Sequence, residues 1–228
     1  MDSLQTCRWH EYDSRIHFEQ AACRFILASA EQAITARGAF RIVLSGGNTP
    51  RHIYRALSQA KSNWSAWHIY FGDERCLPAD DPERNSLMAF RIWLGHVPIP
   101  SQQIHLIQGE LGPEKAAISY SRELAGAGEF DLVVLGLGED GHTASLFPDR
   151  TWEHMKILPA VLPVFDSPKP PLLRVTLSPA RLSHTLQAMF LVFGKEKQEA
   201  VKYWRTGKAL PASRIRPANG VDIFLHTG

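Results

Sequence analysis

Short apolar runs alternate with longer amphipathic segments along most of the chain. Each run is rich in branched or aromatic residues and is bounded by glycine or polar residues, which is typical of strands buried in a sheet. Six runs fit this description: "RIVLS" (41–45), "WHIYF" (67–71), "FDLVVLG" (130–136), "LLRVTL" (172–177), "AMFLVFG" (188–194) and "VDIFL" (221–225). The pattern therefore predicts six strands, separated for the most part by helical segments.

The longest predicted helix covers residues 14–37. Ser14 can cap its first turn, and Gly38 can adopt the left-handed conformation that ends a helix. Apolar or small side chains recur on one face, which we assign to Ile16, Ala21, Phe25 and Ala28. Further helices are predicted at residues 49–57, 85–94, 113–124 and 195–204, with a short one from Pro179.

The alternation of strands and helices predicts the fold class. It favours right-handed crossovers and a mostly parallel α/β sheet with helices on both faces. The Pro-rich stretch at 159–171 is too short and too apolar for a linker, so we predict a single domain over residues 1–228. Ligands of such sheets bind beyond the carboxyl ends of the strands, and the residues that follow each strand are therefore the candidates for a site.

Composition excludes several classes of protein. Lys and Arg are dispersed and the formal net charge is only +2, so we expect no nucleic-acid partner, whereas a small anionic ligand is compatible. Cys7, Cys23 and Cys76 form no C-x-x-C pair, which argues against a zinc knuckle or a disulfide framework. The amino terminus is polar and no run approaches the ~18 apolar residues of a membrane span. We expect a cytoplasmic protein with no membrane partner.

A glycine-containing loop, Ser45-Gly46-Gly47-Asn48-Thr49, follows the first predicted strand and opens a helix at Pro50. Such a loop can turn successive backbone N–H groups inward, and the helix N-terminus adds partial positive charge, so the segment suits a phosphate. A plain strand-to-helix turn is the alternative. The loop lacks the lysine of a P-loop, which argues against a nucleoside triphosphate.

The run at 130–136 leads into Gly136-x-Gly138-x-x-Gly141, the spacing of a dinucleotide-binding turn. Only six residues separate Gly141 from Pro148, too few for the helix that a nicotinamide site requires, and we reject that interpretation. His142 is the better candidate: it can accept a proton near neutral pH, and Asp140 can orient it. Two ligands at this spacing are too few for a metal, so we expect none.

Charged residues mark three other strand ends. Asp73 and Arg75 follow "WHIY" and could contact a polyol, although a solvated charged loop would have the same sequence. Arg174 stands within an apolar strand, where an anionic ligand or a structural ion pair must offset its charge. Lys197 falls in the first turn of a predicted helix, which is electrostatically unfavourable unless an anion binds there.

These segments, in this order, resemble the glucosamine-6-phosphate isomerase/6-phosphogluconolactonase family. The resemblance lies in "LSGGNTPRHIYRAL", "YFGDERCLP", "DPERNS", "HVPIP", "FDLVVLGLGEDGHTASLFPD", "LLRVTLSPARL", "FLVFGKEKQEAV" and "LPASRIRP". It covers nearly the whole chain beyond residue 40, and the segment around Asp-Gly-His is specific to the family. The resemblance implies a Rossmann-like, glucosamine-6-phosphate deaminase-like fold.

The resemblance also implies a reaction, the hydrolysis of 6-phosphogluconolactone to 6-phosphogluconate in the pentose phosphate pathway, downstream of glucose-6-phosphate dehydrogenase. His142 would activate water and Asp140 would hold the imidazole. Arg75 or backbone N–H groups near Gly138 would stabilise the oxyanion. The implied phosphate and sugar contacts are Ser45, Gly46, Gly47, Thr49, Asp73, Arg174 and Lys197. The scheme requires no cofactor and no metal.

Two alternatives stay open. The related deaminases carry a glutamate five residues after the histidine, where this chain has Phe147, and this departure favours lactone hydrolysis over ring-opening isomerisation. A sugar-phosphate sensor without catalysis could use the same glycine loop. Further departures occur at Arg84, which replaces a small polar residue, and at Ser183 or His184, where the family usually has an asparagine.

Overall fold

Six parallel strands form the central sheet. The computed structural model describes residues 5–155 and 157–228. The strands of this sheet are β1 (Cys7–Glu11), β2 (Phe40–Leu44), β3 (Trp67–Phe71), β5 (Phe130–Gly136), β8 (Thr185–Phe193) and β9 (Val221–His226). They lie in the order β1-β9-β8-β5-β2-β3, and every neighbouring pair is parallel. The predicted mostly parallel α/β class is thereby confirmed.

A smaller antiparallel sheet lies beside the first and was not predicted. It consists of β4 (Asp73–Arg75), β6 (Val161–Val164) and β7 (Arg174–Leu177), in the order β4-β7-β6. The run at 172–177 thus forms a strand, but one that pairs antiparallel with both neighbours. Strand β6 lies in the Pro-rich stretch, where Pro163 is tolerated because β6 is an edge strand and needs fewer backbone donors.

In the part of the chain that the structure describes, six α-helices connect the strands: α1 (Arg15–Arg37), α2 (Asn48–Leu57), α3 (Asn85–Ile92), α4 (Pro113–Glu123), α5 (Pro179–Ser183) and α6 (Gln198–Arg205). Their bounds agree with the predicted helices to within a few residues. The largest difference is at α6, because residues 195–197 form a 3-10 turn before the α-helix begins. Within the described ranges, no helix has both the length and the apolarity that a membrane crossing requires.

Helix α1 has the predicted caps but buries a different face. Ser14 Oγ accepts the backbone N–H of His17, and Gly38 ends the helix at a φ of 76°. The buried side chains are Phe18, Ala22, Ile26, Ala30 and Ala33. Ile16, assigned to the buried face, is 65% exposed. Alanines occur on several sides of this helix, so composition does not identify the side that contacts the sheet.

Strand β1 was missed because its sequence is polar. Among the described residues it is an edge strand paired with β9, and two of its polar side chains bind Asp222 on that neighbour. Arg8 Nε donates to Asp222 at 2.9 Å and His10 Nε2 lies 2.7 Å away. Burial would raise the pKa of Asp222, but hydrogen bonds from Arg8, His10 and Gln187 lower it. Hydrogen bonds to Asp222, rather than a run of buried apolar side chains, thus hold this strand on the sheet, and an apolar pattern does not predict it.

Candidate active site

A cavity of ≈ 400 Å³ opens at the carboxyl ends of β2, β5 and β8. Parallel strands bring their ends to one edge of a sheet, and this explains why residues far apart in sequence meet there. Nine of the ten predicted site residues line the cavity: Ser45, Gly46, Gly47, Thr49, Asp73, Arg75, His142, Arg174 and Lys197. The tenth, Asp140, hydrogen-bonds to His142. Their proximity is established; their roles stay predictions.

The glycine loop joins β2 to the N-terminus of α2. Tyr54 holds its first residue, because the Tyr54 hydroxyl accepts the backbone N–H of Ser45 at 3.1 Å and donates to the Ser45 carbonyl at 2.9 Å. Gly47 has a φ of 104°, which favours glycine. The buried Ser45 Oγ has no hydrogen-bond partner among the described residues, so it is free to bind a ligand.

Gly46 is in close contact with the side chain of Asn85. A Cβ at Gly46 would lie 1.8 Å from Asn85 Oδ1, so any other residue would displace Asn85. Asn85 Nδ2 in turn donates to the Asp73 carboxylate at 3.1 Å and to the Asp73 carbonyl at 3.0 Å. Asn85 therefore links the glycine loop to β4.

The two acids that begin β4 have different surroundings. Asp73 faces the cavity and accepts Ser145 Oγ at 2.7 Å. Glu74 is fully buried and accepts the backbone N–H of Asn85 at 2.7 Å. Its second oxygen lies 3.2 Å from Nε of Arg84, itself 3% exposed. A solvated charged loop is thus excluded, and Glu74 and Arg84 stabilise the segment from behind the cavity.

Arg75 extends from β4 into the cavity. Its Nη1 donates to the Glu83 carbonyl, which fixes the guanidinium on one side. Its buried Nε has no hydrogen-bond partner within the described residues. Arg75 therefore retains unpaired donor capacity at the cavity wall, as a group that binds an anion would.

The segment after β5 folds back on itself. The Gly138 backbone N–H donates to the His142 carbonyl at 2.7 Å, and Thr143 Oγ1 donates to the Gly136 carbonyl at 2.8 Å. Gly141 occupies the turn with a φ of 83°. Residues 141–150 form turns and no helix, so the helix of a dinucleotide fold is absent from this described stretch. We call residues 137–147 the histidine loop.

Asp140 orients His142 within this loop. Its Oδ1 hydrogen-bonds to His142 Nδ1 and accepts the His142 backbone N–H at 3.1 Å. Partial burial would raise the pKa of Asp140, but the hydrogen bond and charge of His142 outweigh it and lower this pKa to about 2. The carboxylate is therefore ionised at neutral pH. With the imidazole proton held on Nδ1, Nε2 carries the lone pair that can accept a proton.

Phe147 packs against both His142 and Arg174. Its ring centroid lies 4.7 Å from that of His142, and the Arg174 guanidinium carbon lies 5.6 Å from the ring centroid. Phe147 is 2% exposed, so the position at which the deaminases carry a glutamate is here an apolar wall.

Arg174 and Lys197 supply positive charge to the cavity. Arg174 was expected to need an anion, but three loop carbonyls accept its N–H groups: Pro171 at 3.0 Å, Lys169 at 2.8 Å and Pro170 at 3.2 Å. Burial lowers the pKa of Arg174, and the negative charge of Asp73 opposes that shift. Lys197 Nζ lies 3.8 Å from Glu139 Oε1. A structural explanation thus accounts for Arg174 without a ligand.

Sequence reasoning missed several residues at this site. Lys169, Glu196 and Asn85 also line the cavity, and Ser145 binds Asp73 from below it. Asn85 and Ser145 lie inside the quoted family segments, which was the available signal. Lys169 had none, because only the pairing of β6 with β7 brings its loop to the cavity. Among the described residues no group of three or more His, Cys, Asp or Glu could hold a metal ion.

Comparisons with known proteins identify the family of this chain. The sequence model described as glucosamine-6-phosphate isomerases/6-phosphogluconolactonase matches residues 13–224. A 6-phosphogluconolactonase of Mycobacterium tuberculosis is 38% identical over 195 residues, covering 79% of this chain and 78% of the relative. One of Synechocystis sp. is 38% identical over 179 residues, covering 75% of this chain and 73% of the relative.

Solved structures give the same result for the fold. The crystal structure of 6-phosphogluconolactonase from Thermotoga maritima superimposes with a TM-score of 0.89 at 29% identity, covering 96% of this chain and 99% of that chain. The structure of 6-phosphogluconolactonase from Trypanosoma brucei gives 0.83 at 28% identity, with 97% and 96% covered. The chain therefore belongs to the glucosamine-6-phosphate isomerase/6-phosphogluconolactonase family.

Proposed function

We propose that this protein hydrolyses 6-phosphogluconolactone to 6-phosphogluconate, the second step of the oxidative pentose phosphate pathway, downstream of glucose-6-phosphate dehydrogenase. The relatives reported above bear the name of this activity. One structural observation carries the proposal: a histidine held by a carboxylate faces the same cavity as a glycine loop, an arginine and a lysine. A general base thus lies beside a cluster of groups suited to a phosphate.

The base would act at the lactone carbonyl. His142 Nε2 accepts a proton from water as the oxygen of that water bonds to the carbonyl carbon, which leaves a negative charge on the carbonyl oxygen. When this intermediate collapses, the bond from carbon to the ring oxygen breaks and His142 returns the proton to that oxygen. Asp140 keeps the imidazole of His142 oriented and stabilises the charged form of that imidazole throughout the reaction.

The oxyanion requires a donor near the carbonyl oxygen. Arg75 and the backbone near Gly138 were both candidates. The Gly138 N–H already donates to the His142 carbonyl, whereas Arg75 lines the cavity and, of its side-chain nitrogens, only Nη1 has a protein partner within the described chain. This difference supports Arg75 as the oxyanion donor.

The phosphate would bind at the glycine loop. The N-terminus of α2 gives the loop partial positive charge, and Ser45 Oγ is free to donate. Gly46, Gly47 and Thr49 would contribute backbone and side-chain donors, and Arg174 and Lys197 would contribute charge. Asp73 would accept hydrogen bonds from sugar hydroxyls. The scheme requires no cofactor or metal.

The test compares wild type with His142→Ala on freshly generated 6-phosphogluconolactone. Acid release is followed and the spontaneous hydrolysis rate is subtracted. Loss of a general base lowers turnover by about 10²-fold or more. His17→Ala is a matched control, because His17 also binds a carboxylate, that of Asp13 at 3.0 Å, on the exposed start of α1. Full activity in folded His142→Ala would refute the mechanism.

The same preparation separates the two alternatives. An isomerase-deaminase releases ammonia from glucosamine 6-phosphate, and the buried Phe147 in place of the glutamate of the deaminases predicts that none is released. A sensor binds 6-phosphogluconate without turning over the lactone. No acceleration by wild type, with saturable binding of 6-phosphogluconate, would therefore favour the sensor.

We also propose that residues 1–228 form one domain in the cytoplasm. One cluster of buried hydrophobic residues includes side chains from α1 through β9, which supports a single folding unit. All three cysteines are free thiols, which supports a reducing compartment.

A further inference from the structure

Four buried polar side chains form a cluster at the candidate active site, where two of them also line the cavity. They are Asp73, Asn85, Ser145 and Thr176, and none is more than 6% exposed. We propose that Ser145 is a positioning residue: by binding Asp73, it holds the histidine loop in register with the glycine loop. The proposal rests on the lactonase function proposed above and adds a residue that no substrate contact would reveal.

Both oxygens of the Asp73 carboxylate are engaged from the protein side. Ser145 Oγ donates to Oδ2 at 2.7 Å, and Asn85 Nδ2 donates to Oδ1 at 3.1 Å. Hydrogen bonds to an ionised group are stronger than neutral ones, and exclusion of water strengthens them further. These two donors therefore fix the carboxylate in one orientation, and this orientation sets the direction of its remaining lone pairs.

The histidine loop needs such an anchor. Ser145 lies three positions after His142, and the residue before it, Ala144, has a φ of 48°. Residues other than glycine rarely adopt this conformation, so tertiary contacts must maintain it. Ser145 supplies two of them, because its backbone N–H also donates to Thr176 Oγ1 at 3.3 Å.

Asn85 extends the same cluster to the other side of the cavity. Its Oδ1 occupies the space that a Cβ at Gly46 would take, at 1.8 Å. Asp73 therefore lies between two loops, with Asn85 connecting it to the phosphate end and Ser145 to the histidine end. A shift of Asp73 would change the distance between the bound phosphate and His142.

This arrangement predicts a specific kinetic effect for Ser145→Ala. The glycine loop, Arg174 and Lys197 keep their own contacts, so KM changes by less than about threefold. The reacting groups lose their alignment, and misplacement by ~1 Å costs up to ~10²-fold in rate, so we expect kcat to fall about tenfold. A substitution that only destabilised the fold would instead lower the amount of active protein, without lowering kcat selectively in the enzyme that stays folded.

The experiment is a double-mutant cycle on lactone hydrolysis. Wild type, Ser145→Ala, Asp73→Ala and the double variant are compared, with active protein measured by titration of folded enzyme. If Ser145 acts through Asp73, Ser145→Ala lowers kcat about tenfold in wild type but less than about twofold in the Asp73→Ala background. Thr185→Val is the control, because the buried Thr185 hydroxyl donates to the Phe130 carbonyl at 3.1 Å, remote from the cavity.

Each outcome decides the proposal. An additive loss, or a Ser145→Ala kcat within twofold of wild type, overturns it, as does a similar loss in Thr185→Val. The cycle is repeated with Ser145→Cys, whose side chain has nearly the same size as serine and is a weak hydrogen-bond donor. If the alanine variant folds poorly, the cysteine variant still tests the proposal. A wild type without lactonase activity removes the proposed function and this inference together, whereas an active wild type with an unaffected serine variant removes the inference alone.

Discussion

Replacement of Gly138 by alanine would test the geometry of the candidate base without removing it. A Cβ at Gly138 would lie 1.9 Å from His142 Nδ1 and 2.2 Å from its Cε1, whereas real Cβ contacts are essentially never under 3.0 Å. The imidazole must therefore move by at least about 1.1 Å. The His142 carbonyl accepts the Gly138 N–H, so the backbone cannot follow easily, and the ring must shift together with Asp140 Oδ1, which would lie 2.6 Å from the same Cβ.

The expected cost follows from that displacement. A misplacement of ~1 Å at the reacting groups reduces rates by ~10²-fold, which corresponds to about 2.7 kcal/mol of lost transition-state stabilisation. Gly138 has no positive φ, so the backbone accepts alanine without strain. We therefore expect kcat to fall about 10²-fold, while the thermal midpoint shifts by less than about 4 °C.

Initial rates of lactone hydrolysis and thermal unfolding are measured on the same protein samples. Gly126→Ala is the matched control, because a Cβ there meets nothing within 4 Å and its φ is not positive. A Gly138→Ala variant with activity within about fivefold of wild type would refute the reasoning, since His142 would then work from a position at least an ångström away.

Three further predictions concern other parts of the structure. The lowered pKa of Asp140, about 2 against an unfolded value near 3.8, means that its ionised form stabilises the fold above pH 3.8 and that this contribution is lost as pH falls toward 2. The free energy of unfolding in urea is measured for wild type and Asp140→Asn, and the difference between the two values should therefore shrink from about pH 6 to about pH 3. Glu139→Gln frees Lys197 and should lower the KM for the lactone about two- to fivefold, since exposed pairs contribute up to ~1 kcal/mol. Ile26→Ala should cost about 2–5 kcal/mol in urea unfolding and Ile16→Ala less than about 0.5 kcal/mol, because only Ile26 is buried.

Two strands with a mostly apolar sequence were predictable over their full length, whereas β8 begins three residues before the predicted run at 188–194. Residues 67–71 and 130–136 form β3 and β5 over the predicted ranges, because strands buried on both faces are mostly apolar, and His68 and Asp131 leave these apolar runs recognisable. Strand β1 has the opposite character, and its partner β9 lies at the other end of the sequence. Local pattern carries no information about such a pairing.

The residues that meet at the candidate site were also predictable from local sequence. Its residues follow strand ends within short motifs, and a parallel sheet gathers those ends at one edge. Contacts that depend on two motifs at once were not predictable. Three features require the packed structure: the hydrogen bond from Ser145 to Asp73, the contact of Asn85 with Gly46, and the position of Lys169 at the cavity.

The position of β9 between β1 and β8 has a consequence for synthesis on the ribosome. The sheet contains a gap until residues 221–226 leave the exit tunnel, since β1 has no other neighbour among the described residues and β8 without β9 has one open edge. Arg8 and Asp222, 214 positions apart, meet only at that moment. Open strand edges promote association between chains, so nascent polypeptides that lack β9 should depend on chaperones far more than the finished protein does.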